Sequence, residues 1–321
     1  MNTLKRTITL LGFLLFSFAV FSQTVEDAGA KYNEGNTAMQ NKQYADAVTL
    51  YNDALAMADA AGPDADQLKG NIQTQLINAY LKNGLVFYKN KNYNAAITNL
   101  NQSYKLAKST GDDTMANKLA GYIAKLHSSK GLSLIKQKKL DDALVEFKNA
   151  RVTNPKCVIS FYGEGIVYKD KGDMTEMMSS FDKAIQYGTE NQKMVKYANK
   201  AKSVAAIGLL AEATKELQKE HAAKAVEYIN NSFKYKAADG ETYYYLSVAY
   251  NKLKKYGEAI AAAKKSIGMK EGDKSDVYFQ LGQAYEGKGD NTSACSAFKK
   301  VTTGPNVDAA KYEIKEKLKC G

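Results

Sequence analysis

The stretch YFQLGQAYEGKGDNTSACSAFKKVTTGP, residues 278–305, decides the fold of this chain. In it the small residue Gly282 precedes Ala294 by twelve positions, and the bulky Phe298 follows four positions later. Two antiparallel helices approach closely only where neither presents a bulky side chain, and bulky residues nearby fill the remaining space. The stretch therefore predicts a pair of antiparallel helices.

The same spacing recurs seven times along the 321 residues. The pairs are Gly35–Ala47, Gly84–Ala96, Gly131–Ala143, Gly165–Met177, Ala213–Ala225, Ser247–Ala259 and Gly282–Ala294. Only Met177 breaks the rule of a small residue at the second site. A short unit that cannot bury its apolar face alone stacks on its neighbours, so the recurrence predicts an all-α solenoid. Bulky residues such as Phe147 and Phe298 are expected to fill the space between successive pairs.

The residues around these sites resemble the tetratricopeptide repeat. In the seventh unit the matching residues are Tyr278, Leu281, Gly282, Tyr285, Ala294, Phe298 and Pro305. The resemblance implies a right-handed α-solenoid of about seven helix pairs over residues 23–306. The implied repeats lie near residues 28–61, 77–108, 124–156, 158–188, 206–236, 240–270 and 275–304.

The spacing between units is uneven. Successive small sites lie 49, 47, 34, 48, 34 and 35 residues apart, whereas the family period is about 34. The inserted stretches are not rich in glycine and proline, so they predict longer helices near residues 64–90, 113–138 and 190–219. Gly62-Pro63 is expected to separate two of the helices.

Residues 307–321 predict a final helix that caps the array. Its expected apolar stripe consists of Ala309, Ala310, Tyr312, Ile314 and Leu318. Its cysteine, Cys320, is expected to form a disulfide with Cys295, since antiparallel packing brings the far ends of the two helices together. The alternative is two separate thiols. The third cysteine, Cys157, is left over by a Cys295–Cys320 pair and is expected to be a packing residue at a helix start.

Residues 1–22 have the composition of a secretory signal peptide. Lys5 and Arg6 precede an apolar segment at 8–21, and cleavage is expected between Ser22 and Gln23. An uncleaved anchor is the alternative. The abundance of Lys, Asn and Tyr favours an exported bacterial, Bacteroidetes-like protein that is periplasmic or secreted. No interior stretch predicts a membrane span, so any association with the envelope is expected to be peripheral.

The composition offers little for catalysis or for nucleic acid. The formal net charge of +11 is spread along the chain, and export argues against a nucleic-acid partner. The two histidines, His127 and His221, lie far apart, and no metal-binding, phosphate-binding or nucleophile motif is found. We therefore expect no enzyme activity, no cofactor and no metal, and hence no catalytic, cofactor-binding or metal-binding residues.

The resemblance implies that the first helix of each pair lines a concave groove that binds a partner. The residues it places there are Tyr32, Asn36, Met39, Leu85, Tyr88, Lys89, Ile135, Lys136, Tyr162, Lys169, Tyr244, Asn251, Lys252 and Phe279. Apolar anchors with lysines at the edge suit a peptide or amphipathic helix with acidic flanks. The expected function is therefore a non-catalytic protein–protein interaction module or scaffold in the cell envelope. Alternatives are a glycan-binding protein, a factor that assembles envelope complexes, or apolar positions that the lengthened helices cover.

Overall fold

A computed structural model describes residues 24–320 of the chain. The predicted signal peptide and its cleavage site at Ser22 and Gln23 lie outside the described residues. Residues 24–320 form helices and no strands, which confirms the predicted all-α class. Over the same residues no helix is both long and apolar enough to cross a membrane. The contacts divide the chain into two units, the first ending at Ala120 and the second beginning at Gly121.

The first unit consists of two helix pairs and the beginning of a fifth helix. In order these are α1 (Val25–Gln40), α2 (Tyr44–Ala61), a short 3-10 helix (Gly62–Ala65), α3 (Asp66–Lys89), α4 (Tyr93–Ser109) and the start of α5 (Asp113–Lys136). The helix α1 packs on α2, α2 on α3, and α3 on α4. The first helix begins with a capping box, in which Thr24 and Asp27 satisfy each other's backbone N–H groups.

The second unit consists of the rest of α5 and the helices that follow it. These are α6 (Leu140–Thr153), α7 (Val158–Lys171), α8 (Met174–Thr189), α9 (Val195–Gln218), α10 (Ala222–Ser232), α11 (Gly240–Lys252), α12 (Tyr256–Met269), α13 (Ser275–Gly287), α14 (Asn291–Phe298) and α15 (Val307–Tyr312). A π-helical turn, Glu313–Lys317, extends α15. Each odd-numbered helix from α7 to α13 packs on the even-numbered helix that follows it.

Three helices are longer than the others that begin a pair. The helices α3, α5 and α9 each have 24 residues, whereas α7 has 14 and α13 has 13. They lie in the three intervals where the spacing between small sites is long, so the predicted positions of the lengthened helices are confirmed. Gly62 and Pro63 begin the short 3-10 helix, where they separate α2 from α3 as predicted.

The glycine sites are needed because an aromatic ring of the same pair lies against them. A Cβ atom added at Gly282 would lie 2.5 Å from the ring of Phe298, and one at Gly131 would lie 2.5 Å from the ring of Phe147. Phe147 also contacts Gly163 of the next pair, where an added Cβ would lie 2.2 Å from the ring. Phe147 therefore fills the space between successive pairs as predicted, and these rings also pack within their own pair.

The turns between paired helices share one unusual backbone conformation. The residue seven positions after each small site has a positive φ, between 59° and 83°. Glycine occupies this position in two units, at Gly172 and Gly289. In the other five units it is Lys42, Lys91, Lys138, Glu220 or Lys254. A left-handed conformation is unfavourable for such residues, so the tertiary packing of the pair imposes this turn.

The C-terminal helix is held in two ways. Val307, Ile314 and Leu318 pack against the cluster around Phe298, and Ala310 is buried. The structure also joins Cys295 to Cys320 by a disulfide, with their Cα atoms 5.8 Å apart.

The predicted apolar stripe of this helix is wrong at Tyr312, which is 60% exposed, and at Ala309, which is also exposed. The residues that pack on the rest of the chain are at positions 307, 310, 314 and 318, at the three- and four-residue spacing of one helix face.

Candidate functional site

A groove lies between the first helices of the last two pairs and the π-helical turn. We call it the C-terminal groove, and its volume is about 590 Å³. Its lining residues are Val248, Asn251, Lys252, Tyr256, Phe279, Gln280, Gln283, Glu286, Gly287, Glu313 and Lys317. The three predicted residues Asn251, Lys252 and Phe279 are therefore brought together. On α11, Val248 shares a face with Asn251 and Lys252, which follow it by three and four positions, and Phe279 reaches the same space from α13.

Asn251 has an unsatisfied acceptor. Its Nδ2 donates to the backbone oxygen of Gln280 at 2.9 Å and to the side-chain Oε1 of Gln280 at 3.0 Å. These two bonds fix the orientation of the amide, and its carbonyl oxygen Oδ1 is buried without a hydrogen-bond partner within residues 24–320. A buried carbonyl oxygen without a donor costs about 1–3 kcal/mol. A donor on a bound molecule would remove this cost.

The lysines of the C-terminal groove are paired with carboxylates. Lys252 Nζ lies 2.8 Å from Glu220 Oε2, at the turn between α9 and α10. Lys317 Nζ lies 2.5 Å from Glu286 Oε1 and 3.3 Å from Glu313 Oε2. The hydrogen bond with Glu286 raises the pKa of Lys317 above its usual value, so this ammonium stays charged at neutral pH. These pairs leave little net positive charge in the groove. Binding of a partner there therefore depends more on hydrogen bonds than on the attraction of acidic groups.

In α1 the predicted residues have roles within their own pair. The ring of Tyr32 lies 5.8 Å from the ring of Tyr51, and Asn36 Oδ1 accepts a 2.7 Å hydrogen bond from the Tyr51 hydroxyl. Met39 packs against the same core. The amide oxygen of Asn36 is therefore already satisfied, in contrast to that of Asn251.

In α3 and α5 the predicted residues divide into partly buried and exposed ones. Leu85 is partly buried, and the ring of Tyr88 lies 6.1 Å from that of Tyr93. Ile135 packs against the cluster around Phe147. The two lysines Lys89 and Lys136 are exposed at the ends of their helices. Neither lysine forms an ion pair within residues 24–320, so both can attract an acidic partner.

In α7, Tyr162 and Lys169 are engaged by neighbours. The ring of Tyr162 packs 6.1 Å from that of Phe181 and 5.5 Å from that of Tyr197, and burial raises its pKa. Lys169 Nζ pairs with Asp170 at 3.0 Å.

The two predicted aromatic residues of α11 and α13 are also packed. Tyr244 lies 5.2 Å from the ring of Tyr245, and burial raises its pKa to about 12. Phe279 is 9% exposed, with its ring 5.7 Å from that of Phe298. The tyrosine rings at these predicted positions support the framework, which leaves them poorly placed to stack on a sugar.

Sequence reasoning missed the residues that the C-terminal helix contributes. Glu313 and Lys317 line the C-terminal groove, and on α13 Gln280, which was also missed, holds Asn251 in place. The four-residue spacing of Glu313 and Lys317 is the signal that could have found them, since it places both on one helix face. The sequence pattern predicts only that this helix caps the array, because the pattern does not show that the charged face of the helix turns toward α13.

Residues 24–320 contain no group of three or more His, Cys, Asp or Glu side chains that could hold a metal ion. Both histidines instead pair with carboxylates of the framework. His127 Nδ1 lies 2.7 Å from Glu146 Oε2, and His221 Nδ1 lies 2.8 Å from Glu216 Oε2. Cys157 is a buried free thiol whose sulfur lies 3.3 Å from the Ser128 hydroxyl.

The chain matches the family model of the tetratricopeptide repeat at residues 240–273 and 275–303, the two repeats that form the C-terminal groove. No curated protein matches the chain.

Similar solved structures include residues 41 to the end of MamA from Desulfovibrio magneticus RS-1, with 20% identity over 56% of this chain and 92% of that one, at a TM-score of 0.36. A tetratricopeptide repeat protein from Parabacteroides merdae is similar at 16% identity over 92% and 100% of the two chains, with a TM-score of 0.31. The TPR2AB domain of yeast Sti1 is similar at 16% identity over 92% and 96%, with a TM-score of 0.34.

Proposed function

We propose that this chain, a tetratricopeptide repeat protein, is a non-catalytic module that binds a segment of another protein in the C-terminal groove. The observation that carries this proposal is Asn251, whose carbonyl oxygen is buried without a donor in a groove of about 590 Å³. A backbone N–H group of an extended or helical segment is the donor that any protein partner can provide. Asn251 therefore fixes the position of the segment.

The walls of the groove supply the remaining contacts. Val248 offers apolar surface, and Gln283 offers an exposed amide that can donate and accept hydrogen bonds. Lys252 and Lys317 are held by their carboxylate partners, so their spare N–H groups can donate to a partner at a small entropic cost.

The acidic flanks proposed for the partner depend on lysines outside this groove. Lys89 and Lys136 are the exposed candidates, one in each unit of the chain. Exposed charges outside the buried contact change the association rate and its salt dependence more than they change the contact itself. The changes Lys89→Glu and Lys136→Glu, made separately, are expected to slow partner association with helicity unchanged.

We place this activity in the cell envelope, on the strength of the signal peptide read from residues 1–22. Sequencing the mature N-terminus of the secreted chain tests this, and a chain that begins at Gln23 is expected. A mature chain that begins at Met1 would contradict export by this route.

A peptide selection tests the binding proposal without knowledge of the natural partner. A displayed library of random peptides is panned on the folded chain, and enriched peptides are measured by fluorescence anisotropy. Loss of a hydrogen bond to a buried acceptor corresponds to about tenfold in affinity, so Asn251→Ala is expected to bind about ten times more weakly. The matched control is Asn199→Ala, which removes an exposed amide from α9.

Two results would count against the proposal. The first is that no peptide is enriched, and the second is that both alanine variants bind an enriched peptide equally. Thermal denaturation of both variants shows whether the fold is retained. Enrichment of oligosaccharides on a glycan array in place of peptides would favour the glycan-binding alternative.

A further inference from the structure

A second pocket lies in the second unit, away from the C-terminal groove. It has a volume of about 490 Å³ and is formed by α5, the loop between α6 and α7, and the loop between α8 and α9. The residues on which the argument depends are Lys125, Lys156, Lys193, Lys196, Tyr187 and Glu190. We call it the lysine pocket. Two of the three lengthened helices contribute to it, α5 through Lys125 and α9 through Lys196.

The charge of the lysine pocket is strongly unbalanced. Four lysines line it, and Glu190 is the one carboxylate among its lining residues. Glu190 lies 3.8 Å from Lys156 Nζ, whereas Lys193 and Lys196 form no ion pair within residues 24–320. In the C-terminal groove, by contrast, each lysine contacts a carboxylate. Like charges around one cavity repel one another, and a bound anion would relieve that repulsion.

Aromatic rings hold two of these lysines in place. Lys156 Nζ lies over the ring of Tyr187 at 5.4 Å, and Lys196 Nζ lies over the ring of Tyr197 at 5.3 Å. Such contacts restrict the long lysine side chains, so less entropy is lost when they bind an anion. The ammonium groups are therefore partly ordered at the rim of the pocket.

The backbone around the lysine pocket adds to its positive potential. The helices α7 and α9 begin at Val158 and Val195, next to lining residues of the pocket. Neither helix has a side-chain cap or an acidic residue in its first turn. Unbonded N–H groups at the start of a helix suit the oxygens of a phosphate group. Together with the lysines they favour phosphate among the common anions.

We propose that the lysine pocket binds a small molecule that carries two or more negative charges on phosphate groups. The volume of about 490 Å³ lies in the range of small-molecule sites. This ligand could be free in solution or could be the headgroup of a lipid, and both present the same chemistry. The site is separate from the C-terminal groove and does not depend on the proposed peptide binding.

Calorimetric titration with pyrophosphate at low ionic strength tests this proposal. The wild-type chain is expected to bind pyrophosphate saturably, with an affinity that falls as salt is added. The double variant Lys193→Gln/Lys196→Gln removes two charges from the pocket and is expected to bind at least about ten times more weakly.

The matched control is Lys264→Gln/Lys265→Gln on α12. These lysines also lie over tyrosine rings, at 5.7 Å and 5.0 Å, and their removal changes the net charge by the same amount. The control is expected to bind like the wild type. The variant Asn251→Ala is also expected to retain pyrophosphate binding, which separates this site from the peptide site.

Two further probes define the ligand class. Vesicles that contain phosphatidic acid and compete with pyrophosphate would identify a lipid headgroup as the source, and a lack of competition would identify a soluble phosphate compound. Citrate, a tricarboxylate, is expected to bind more weakly than pyrophosphate.

Three results would overturn the proposal. These are the absence of saturable pyrophosphate binding, an equal loss of binding in the two double variants, and citrate binding as tight as that of pyrophosphate. Circular dichroism of each variant shows whether the helices are retained.

Discussion

The change Gly282→Ala tests the packing that defines each helix pair. An alanine methyl group at this position would lie 2.5 Å from Cε1 of Phe298, whereas carbon atoms in contact are about 3.5–4.0 Å apart. Phe298 is fully buried, so its ring cannot swing into solvent. The two helices must therefore separate by about 1 Å.

The expected cost follows from two opposing effects. Overpacking of a core costs about 1–3 kcal/mol, whereas alanine in place of glycine gains about 1 kcal/mol in a helix. We therefore expect Gly282→Ala to lower the free energy of unfolding by about 1 kcal/mol, measured by urea denaturation.

The matched control is Gly121→Ala in α5. A Cβ atom added there would have no atom within 4 Å, so only the helical gain of about 1 kcal/mol remains. The two glycine variants should thus change stability in opposite directions. The reasoning is refuted if Gly282→Ala stabilises the chain as much as Gly121→Ala does. Adding Phe298→Leu should relieve part of the strain, so the double variant is less unstable than the sum of the single variants.

Three further predictions concern the turns, the disulfide and the pH dependence of the chain. Lys91→Gly places glycine at a turn with φ of 59° and should stabilise the chain by about 0.5–1 kcal/mol in thermal denaturation, whereas Lys105→Gly within α4 should destabilise it by about 1 kcal/mol. Replacing Cys295 and Cys320 with serine removes a disulfide that links positions 25 apart, and should lower the free energy of unfolding by about 3 kcal/mol. The loss should be measurable as faster hydrogen exchange in α14 and α15. Burial alone would raise the pKa of Glu146, but its hydrogen bonds with Lys130 and His127 outweigh this effect and hold the pKa below the ordinary 4.5. Glu146 therefore stabilises the fold above about pH 4.5 and loses this effect as the pH falls through its lowered pKa, so Glu146→Gln should flatten the dependence of stability on pH in that range.

The repeat made most of the fold predictable. Small residues such as Gly131 and Gly165 are needed wherever a ring packs on a helix backbone, so their spacing reports the helix pairs directly. The three lengthened helices were also predictable, because the insertions between small sites are not rich in glycine and proline. The left-handed turns at Lys91 and its equivalents were not predictable, since lysine carries no signal for a positive φ.

The candidate site was predictable only in part. Its position on α11 and α13 follows from which helix of a repeat faces the groove, so Asn251 and Lys252 could be named. The ion pairs of Lys252 and Lys317 could not be predicted, because they depend on where the neighbouring turn and the last helix lie. The lysine pocket was also not predictable, since its four lysines come from three separate parts of the chain and meet only after folding.

The most direct measurement of the central claim is the affinity of a selected peptide for the wild-type chain and for Asn251→Ala. The account predicts that the alanine variant binds about ten times more weakly while Asn199→Ala binds like the wild type, because the amide oxygen of Asn251 is buried without a donor whereas Asn199 is exposed. Equal affinity of the peptide for all three chains would contradict the assignment of the C-terminal groove as the binding site.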